Sequence, residues 1–311
     1  MMNPELNAFL TRWDDEWQVI KAGATPADRR ARFEIIAKNM RLPTPQDVET
    51  DAEHWIDSPN EKVRVRVFRH NSGGQQPCLV YMHGGAFMQG SPETHWDITS
   101  RIASWARQTV ISVDYAKAPE KPFPMALDQV GAVIRWAHKN AQQLEIDPTK
   151  ISIGGDSAGG NLAAAATLDV QGEIPLIAQL LIYPSCDFDR SRPSYKENPD
   201  GPIVKTAAMA ATDSNYTPNP EDRLSPRTAP LLAPSHAGLP PAFVAVAECD
   251  PLRDSGIAYA EALLSAGVPV ELDRGDGLIH GYLRSLEYCS DAHSKLEKMS
   301  AWLKQKNNMT G

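Results

Sequence analysis

The sequence predicts an α/β protein: a mostly parallel central sheet with helices on both faces. Three observations predict it. Short apolar runs recur at Cys78–Met82, Thr109–Val113, Ile177–Tyr183, Ala242–Ala247 and Val268–Leu272. They alternate with stretches of helical length and periodicity near Glu93–Arg107 and Ala126–Gln143. Another run, from Ile151, passes through Gly155-Asp156-Ser157-Ala158-Gly159 straight into an Ala-rich segment, a strand, a tight turn and a helix in sequence. Strands alternating with helices give a sheet whose crossovers cover both faces.

From the N-terminus, Leu6, Phe9, Leu10, Trp13, Trp17 and Ile20 recur at helical spacing and place an aromatic stripe on one helix face. Gly23 closes that helix. Thr25 then acts as N-cap, with Pro26 at the first helical position and Asp28 in the first turn, for a second helix ending near Met40. Val63, Val65 and Val67 alternate with Arg64 and Arg66, the pattern of a half-buried antiparallel strand. After a turn at Asn71–Pro77, the continuous apolar strand Cys78–Met82 reads as central. The helix after Ser157 runs from Ala158 to about Leu168. The rhythm is interrupted from Asp187 to about Pro230, rich in Pro, Asp, Asn and Ser, with one helix expected at Val204–Asn215. An insertion of that length between core strands is usually functional.

The chain has 311 residues, 42% of them hydrophobic, enough for one large α/β domain, and a net charge of −8. That charge argues against nucleic acid or an anionic membrane as partner. No secretory signal is evident at Met1–Leu10, and no run approaches the roughly 18 apolar residues of a membrane span. Cys78, Cys186, Cys249 and Cys289 are scattered without a C-x-x-C and read as reduced thiols. A soluble cytoplasmic protein is expected, and the cysteines do not suggest a metal site.

Gly155–Gly159 is G-x-S-x-G in the context that gives it mechanical meaning. A nucleophile elbow holds its serine in a strained turn, with the hydroxyl raised above the sheet edge at the positive end of the following helix. A serine hydroxyl is a poor nucleophile and needs a positioned base, itself oriented by a carboxylate, in the chain order Ser, acid, His. Asp250 follows the strand Ala242–Ala247, and His280 follows the strand Val268–Leu272, so both fall beyond carboxyl ends where open α/β sheets build their sites. Glu248 is the rival acid. His138 precedes the serine on a helix and does not fit the order. His83-Gly84-Gly85-Ala86-Phe87 ends the Cys78–Met82 strand. There Gly84 and Gly85, with Ala158 after the nucleophile, are expected to supply N–H donors to an oxyanion.

These residues together resemble the hormone-sensitive-lipase-like family of α/β-hydrolases, in its Gly-Asp-Ser-Ala-Gly-Gly subgroup. The resemblance runs from His83 to Tyr282. It includes Asp114-Tyr115-Ala116-Lys117-Ala118-Pro119-Glu120, Phe123-Pro124, Asp250-Pro251-Leu252-Arg253-Asp254 and His280-Gly281-Tyr282. Ala86 departs from the family's third glycine. The resemblance implies an α/β-hydrolase fold with a helical cap, and a Ser157–Asp250–His280 triad acting on carboxylic esters without a cofactor. It assigns residues 1–45 to N-terminal cap helices and residues 46–311 to a catalytic domain carrying a second cap insertion at about 187–219. Asp114–Glu120 would buttress the oxyanion loop. The expected activity is a serine carboxylesterase for small to medium apolar esters, with Phe9, Trp13, Trp17 and Phe87 about the substrate pocket. An arylformamidase or amidase on the same triad, and a non-catalytic small-ligand receptor on the same scaffold, are the alternatives. A homodimer is a family-level expectation.

Overall fold

The computed structural model describes residues 1–21 and 23–309. Two helices come first, α1 (Leu6–Gln18) and α2 (Pro26–Asn39). The second is closed by the expected device: Thr25 accepts the Asp28 N–H, and the Asp28 side chain accepts the Thr25 N–H. The sheet begins with β1 (Val48–Ile56), β2 (Val63–His70) and β3 (Gln76–Met82). Then follow α3 (Trp96–Ala106), β4 (Thr109–Asp114), α4 (Met125–Lys139), β5 (Ile146–Asp156) and α5 (Ala158–Asp169). Next come β6 (Leu176–Ile182), α6 (Pro193–Glu197), α7 (Thr206–Tyr216), β7 (Ala242–Ala245), α8 (Arg253–Ser265), β8 (Val270–Asp273) and α9 (Ser290–Met309).

The strands form one eight-stranded sheet in the order β1-β2-β4-β3-β5-β6-β7-β8. β2 is antiparallel to both β1 and β4, and β3 through β8 run parallel with β4. This is the α/β-hydrolase fold class that the sequence predicts. One apolar core lies between the sheet and α4, α5 and α8. The other lies on the opposite face under α1, α2, α3 and α9. Ala163–Ala166 of α5 are fully buried, and their small side chains let that helix lie close on the strands.

Several boundaries differ from the sequence reading. β1 was not expected, because Val-Glu-Thr-Asp-Ala-Glu-His-Trp-Ile exposes most of its side chains as an edge strand and so carries little apolar signal. β5 starts at Ile146 rather than Ile151, with a register irregularity against β3 between those two positions. β8 starts at Val270 rather than Val268. Pro269 carries no N–H to donate, and its carbonyl accepts the Ala242 N–H at 2.9 Å. The insertion adds the short α6, and its longer helix, α7, begins at Thr206.

Candidate active site

The sheet places Ser157, Asp250 and His280 beyond the carboxyl ends of β5, β7 and β8. Ser157 has φ 57° and ψ −119°, backbone that costs a non-glycine residue of the order of 1–3 kcal/mol and persists only where packing dictates it. The packing is tight on the helix side of the turn. A Cβ on Gly159 would stand 2.0 Å from the Met82 carbonyl oxygen, so only glycine lets the elbow press on the end of β3. The Ser157 N–H donates to the Ile182 carbonyl at 2.8 Å, which holds the turn to β6.

His280 Nε2 lies 2.8 Å from Ser157 Oγ, and His280 Nδ1 lies 2.7 Å from Asp250 Oδ2. The other Asp250 oxygen accepts the Leu252 N–H at 2.9 Å. Asp250 is fully buried and His280 nearly so, while the serine remains partly exposed. Such a carboxylate fixes the imidazole with its proton on Nδ1 and its lone pair toward the serine. Glu248 points elsewhere: it accepts the Gly277 N–H at 2.7 Å at the protein surface, beside the terminal amino group of Met1. His138 lies in the last turn of α4.

The oxyanion loop corrects one expectation. The Gly84 N–H is already engaged, donating to Asp156 Oδ1 at 2.9 Å and reaching His95 Nε2 at 3.2 Å. It faces into the protein and is not available to substrate. The amides of Gly85, Ala86 and Ala158 have no protein acceptor among the described residues. Gly85 has φ 139°, which glycine tolerates, and Ala86 follows at φ 56°; the peptide planes after Gly84 therefore turn the other way. The departure from a third glycine sits at that strained Ala86.

Behind the loop, Tyr115 stacks on His83 at 4.2 Å and donates its hydroxyl proton to the His83 carbonyl at 2.6 Å. The Ala118 N–H donates to the Phe87 carbonyl at 2.9 Å. Asp114–Glu120 thus packs directly on the loop. Asp156, the variable residue of the elbow motif, is buried and accepts the Tyr81 hydroxyl at 2.8 Å. Burial opposes its ionisation, yet the carboxyl is held well below its usual range, with the Arg284 guanidinium and the Tyr81 hydroxyl among the groups that favour the anion.

A cleft of about 130 Å³ opens over Ser157. Trp13 and Phe33 from the first two helices, Ile203 and Val204 from the insertion, and Arg284 wall it. Of the aromatic residues expected about the pocket, Trp13 is at the cleft and three are not. Phe9 is fully buried between Trp13 and Tyr288, with ring centroids 5.7 and 6.0 Å away. Trp17 stacks on Phe33, one helical turn beyond Trp13. Phe87 stacks on Tyr216 of α7 at 3.6 Å. The stripe marks one face of α1, but a helix crossing a cleft presents only one turn to it. Phe33, Tyr183, Ile203, Val204 and Arg284 were not expected there. Ile203 and Val204 fall within the insertion expected to form a cap, and Arg284 lies four residues beyond His280.

Among the described residues, no three or more His, Cys, Asp or Glu side chains are grouped to hold a metal ion. No helix among them is long and apolar enough to cross a membrane.

Residues 79–284 match a family described as alpha/beta hydrolase fold. Over 213 residues the chain is 43% identical to carboxylesterase NlhH of Mycobacterium tuberculosis, a match spanning 67% of this chain and 66% of that protein. It is 40% identical over 234 residues to esterase LipI of the same organism, 73% of each chain. Among solved structures, the hyperthermophilic esterase of Pyrobaculum calidifontis superposes with a TM-score of 0.89 at 33% identity, over 98% of both chains. The carboxylesterase EstE1 from a metagenomic library gives 0.88 at 31% identity, over 93% of this chain and 99% of that one.

Proposed function

The chain belongs to the α/β-hydrolase family, and we propose that within it this protein is a serine carboxylesterase acting on small to medium esters. The observation that carries the reading is the short chain of contacts from Asp250 through His280 to Ser157, set beside three unbonded backbone amides. Ser157 Oγ attacks the ester carbonyl carbon, and its proton passes to His280 Nε2. The carbonyl π pair moves onto oxygen, where the Gly85, Ala86 and Ala158 amides stabilise the oxyanion. On collapse the C–O bond to the alcohol breaks, and the leaving alkoxide takes the proton from Nε2. Water then attacks the acyl-enzyme, again giving a proton to His280, which returns it to Ser157 as the carboxylic acid departs.

The dimensions of the cleft support the substrate range. An apolar cavity of about 150 Å³ accepts one benzene ring, so this site takes a short acyl chain or a single ring more readily than a long tail. The walls of that cleft come from α1, α2 and the insertion at 187–219, which we read as the two parts of a cap. The four unbonded thiols suit a reducing compartment, and on that ground we place the enzyme in the cytoplasm.

The test is a panel of p-nitrophenyl esters from acetyl to decanoyl, with a fluorophosphonate label located by peptide mapping. Activity greatest at short chain lengths and labelling at Ser157 alone are expected. No turnover of any ester, or labelling elsewhere, would sink the reading.

A further inference from the structure

Arg284 lies in the helical turn Tyr282–Ser285, just after the proposed base. One face of its guanidinium lies 4.5 Å from the centroid of Phe33 and 5.8 Å from that of Trp13, so α1 and α2 cover it. Its edge points inward. Nη1 donates to the Thr94 carbonyl at 3.2 Å, and Nη2 stands 2.6 Å from His95 Nε2.

A guanidinium can only donate, so His95 Nε2 must present its lone pair. The ring proton then sits on Nδ1, 2.9 Å from Thr94 Oγ1. That hydroxyl is able to accept it, because its own proton goes to the Ser91 carbonyl at 2.9 Å. A second donor reaches Nε2, the Gly84 N–H at 3.2 Å. Asp156 Oδ1 lies 3.4 Å from Nε2 and shares that same N–H. A protonated Nε2 would donate to Asp156, but it would confront two N–H groups at once. The neutral ring is the form these donors select, and burial pushes the His95 pKa down in the same direction.

We infer that Arg284 is a positioning residue of the oxyanion hole: clamped by Trp13 and Phe33, it holds His95 in the tautomer whose Nε2 shares the Gly84 N–H with Asp156. The inference rests on the esterase reading above. Gly84 directly precedes the amides of Gly85 and Ala86, so the bond that anchors its N–H sets where those two donors point. A Cβ at Gly84 would stand 2.4 Å from Asp156 Oδ2, which shows how little slack the anchor has. The same helices grip the far end of the loop, where Arg30 of α2 donates to the Met88 carbonyl at 2.7 Å and the Ala118 carbonyl at 2.8 Å. The N-terminal helices therefore hold the oxyanion loop from both sides, through Arg284 and through Arg30.

The test compares Arg284→Met, which keeps an apolar stem against Phe33, with Arg284→Lys, which keeps a cationic donor. His95→Gln keeps a side-chain acceptor, whereas His95→Leu does not. Three quantities are read: kcat and KM on a short p-nitrophenyl ester, Ki for a trifluoromethyl ketone, and amide exchange of the peptide 83–90. In the ketone adduct a bond forms from Ser157 Oγ to carbon, the serine proton passes to His280, and the new oxyanion occupies the hole. Deleting an oxyanion donor outright costs about 10²–10³-fold in kcat, so a displaced loop should cost about 10–100-fold in Arg284→Met. KM should stay within about threefold, Ki should rise by the same factor as kcat/KM falls, and exchange at 83–90 should quicken. Arg284→Lys and His95→Gln should recover most of each loss, and both are expected to fold even if His95→Leu does not. A raised KM at unchanged kcat would make Arg284 a substrate contact and overturn the inference. So would a fall in kcat with Ki and amide exchange unmoved. Amide exchange needs no turnover, so a wild-type protein inert to every ester would sink the esterase reading and leave the loop measurement to be judged separately.

Discussion

Ser157 stands between two aspartate–histidine pairs built from the same residue types. On one side Asp250 Oδ2 lies 2.7 Å from His280 Nδ1; on the other Asp156 Oδ1 lies 3.4 Å from His95 Nε2. The difference lies in what surrounds each imidazole. His280 has a carboxylate on one nitrogen and a hydroxyl at 2.8 Å on the other, so a proton has somewhere to come from and somewhere to go. His95 has donors crowding Nε2 and a committed acceptor at Nδ1, so no proton can move without breaking the set. Chemistry needs a pair with one unsatisfied transfer, whereas geometry needs a pair with none. Residue identity alone does not separate the two cases.

The comparison breaks most sharply at the serine. Ser157→Ala, His280→Ala and the double variant should each lose about the same kcat, of the order of 10⁴-fold or more, because the residues act as a unit. A double loss equal to the product of the single losses, measured on a p-nitrophenyl ester, would refute the shared mechanism. The carboxylates then separate the pairs by which quantity falls. Asp250→Asn should cost about 10⁴-fold in kcat by favouring the wrong imidazole tautomer, with little change in melting temperature. Asp156→Asn should cost far less kcat, by about 10–100-fold if the oxyanion loop shifts. It should also lower stability by about 1–3 kcal/mol through the buried partners left badly paired. Similar losses in both quantities for the two variants would dissolve the distinction.

Acid sharpens it further. Burial pushes His95 and His83 below the ordinary histidine pKa, His83 well below, so as pH falls through about 6.5 the unfolded chain takes up protons before the folded rings do. Below that pH the unfolded state binds more protons, and stability must fall as pH falls, by up to about 1.4 kcal/mol per pH unit for each ring. The contribution is fully present above pH 6.5. Calorimetry from pH 7.5 to pH 5 should show the melting temperature of wild type falling more steeply than that of His95→Gln. Equal slopes would mean that His95 is not held neutral.

The walls of the cleft give a smaller effect. Trp13→Ala should flatten the preference among acyl chain lengths, since each buried methylene contributes about 0.8 kcal/mol, close to fourfold in kcat/KM. Phe9→Ala should instead lower stability by about 3–5 kcal/mol and leave the chain-length profile unchanged. The opposite assignment of those two effects would put the pocket on the other side of α1. Smallest of all, Glu248→Gln should change kcat less than about twofold, because Glu248 faces the surface at Gly277. A large loss there would return it to the role given to Asp250.

The sequence by itself determined the α/β-hydrolase class, the elbow at Ser157 and the order Ser157, Asp250, His280 along the chain. Those features are legible because each is local. An apolar run, a glycine-bounded turn and a helix specify an elbow within a dozen residues, and any residue just past a parallel strand is delivered to the same edge of the sheet. The aromatic stripe of α1 was legible as a stripe, but its contact with the cleft was not. Which turn of a helix meets a cavity depends on the crossing of two elements, and only Trp13 stands there. The direction of the Gly84 amide was invisible for a related reason: a peptide plane has no side chain to betray which way it turns. The second Asp–His pair lay furthest out of reach. Asp156, His95 and Arg284 come from the end of β5, the start of α3 and the turn after the base, and Arg284 meets His95 across 189 positions of chain. No periodicity links such residues. Only folding brings their donors and acceptors within hydrogen-bond range and so separates the loop anchor proposed at His95 from the base proposed at His280.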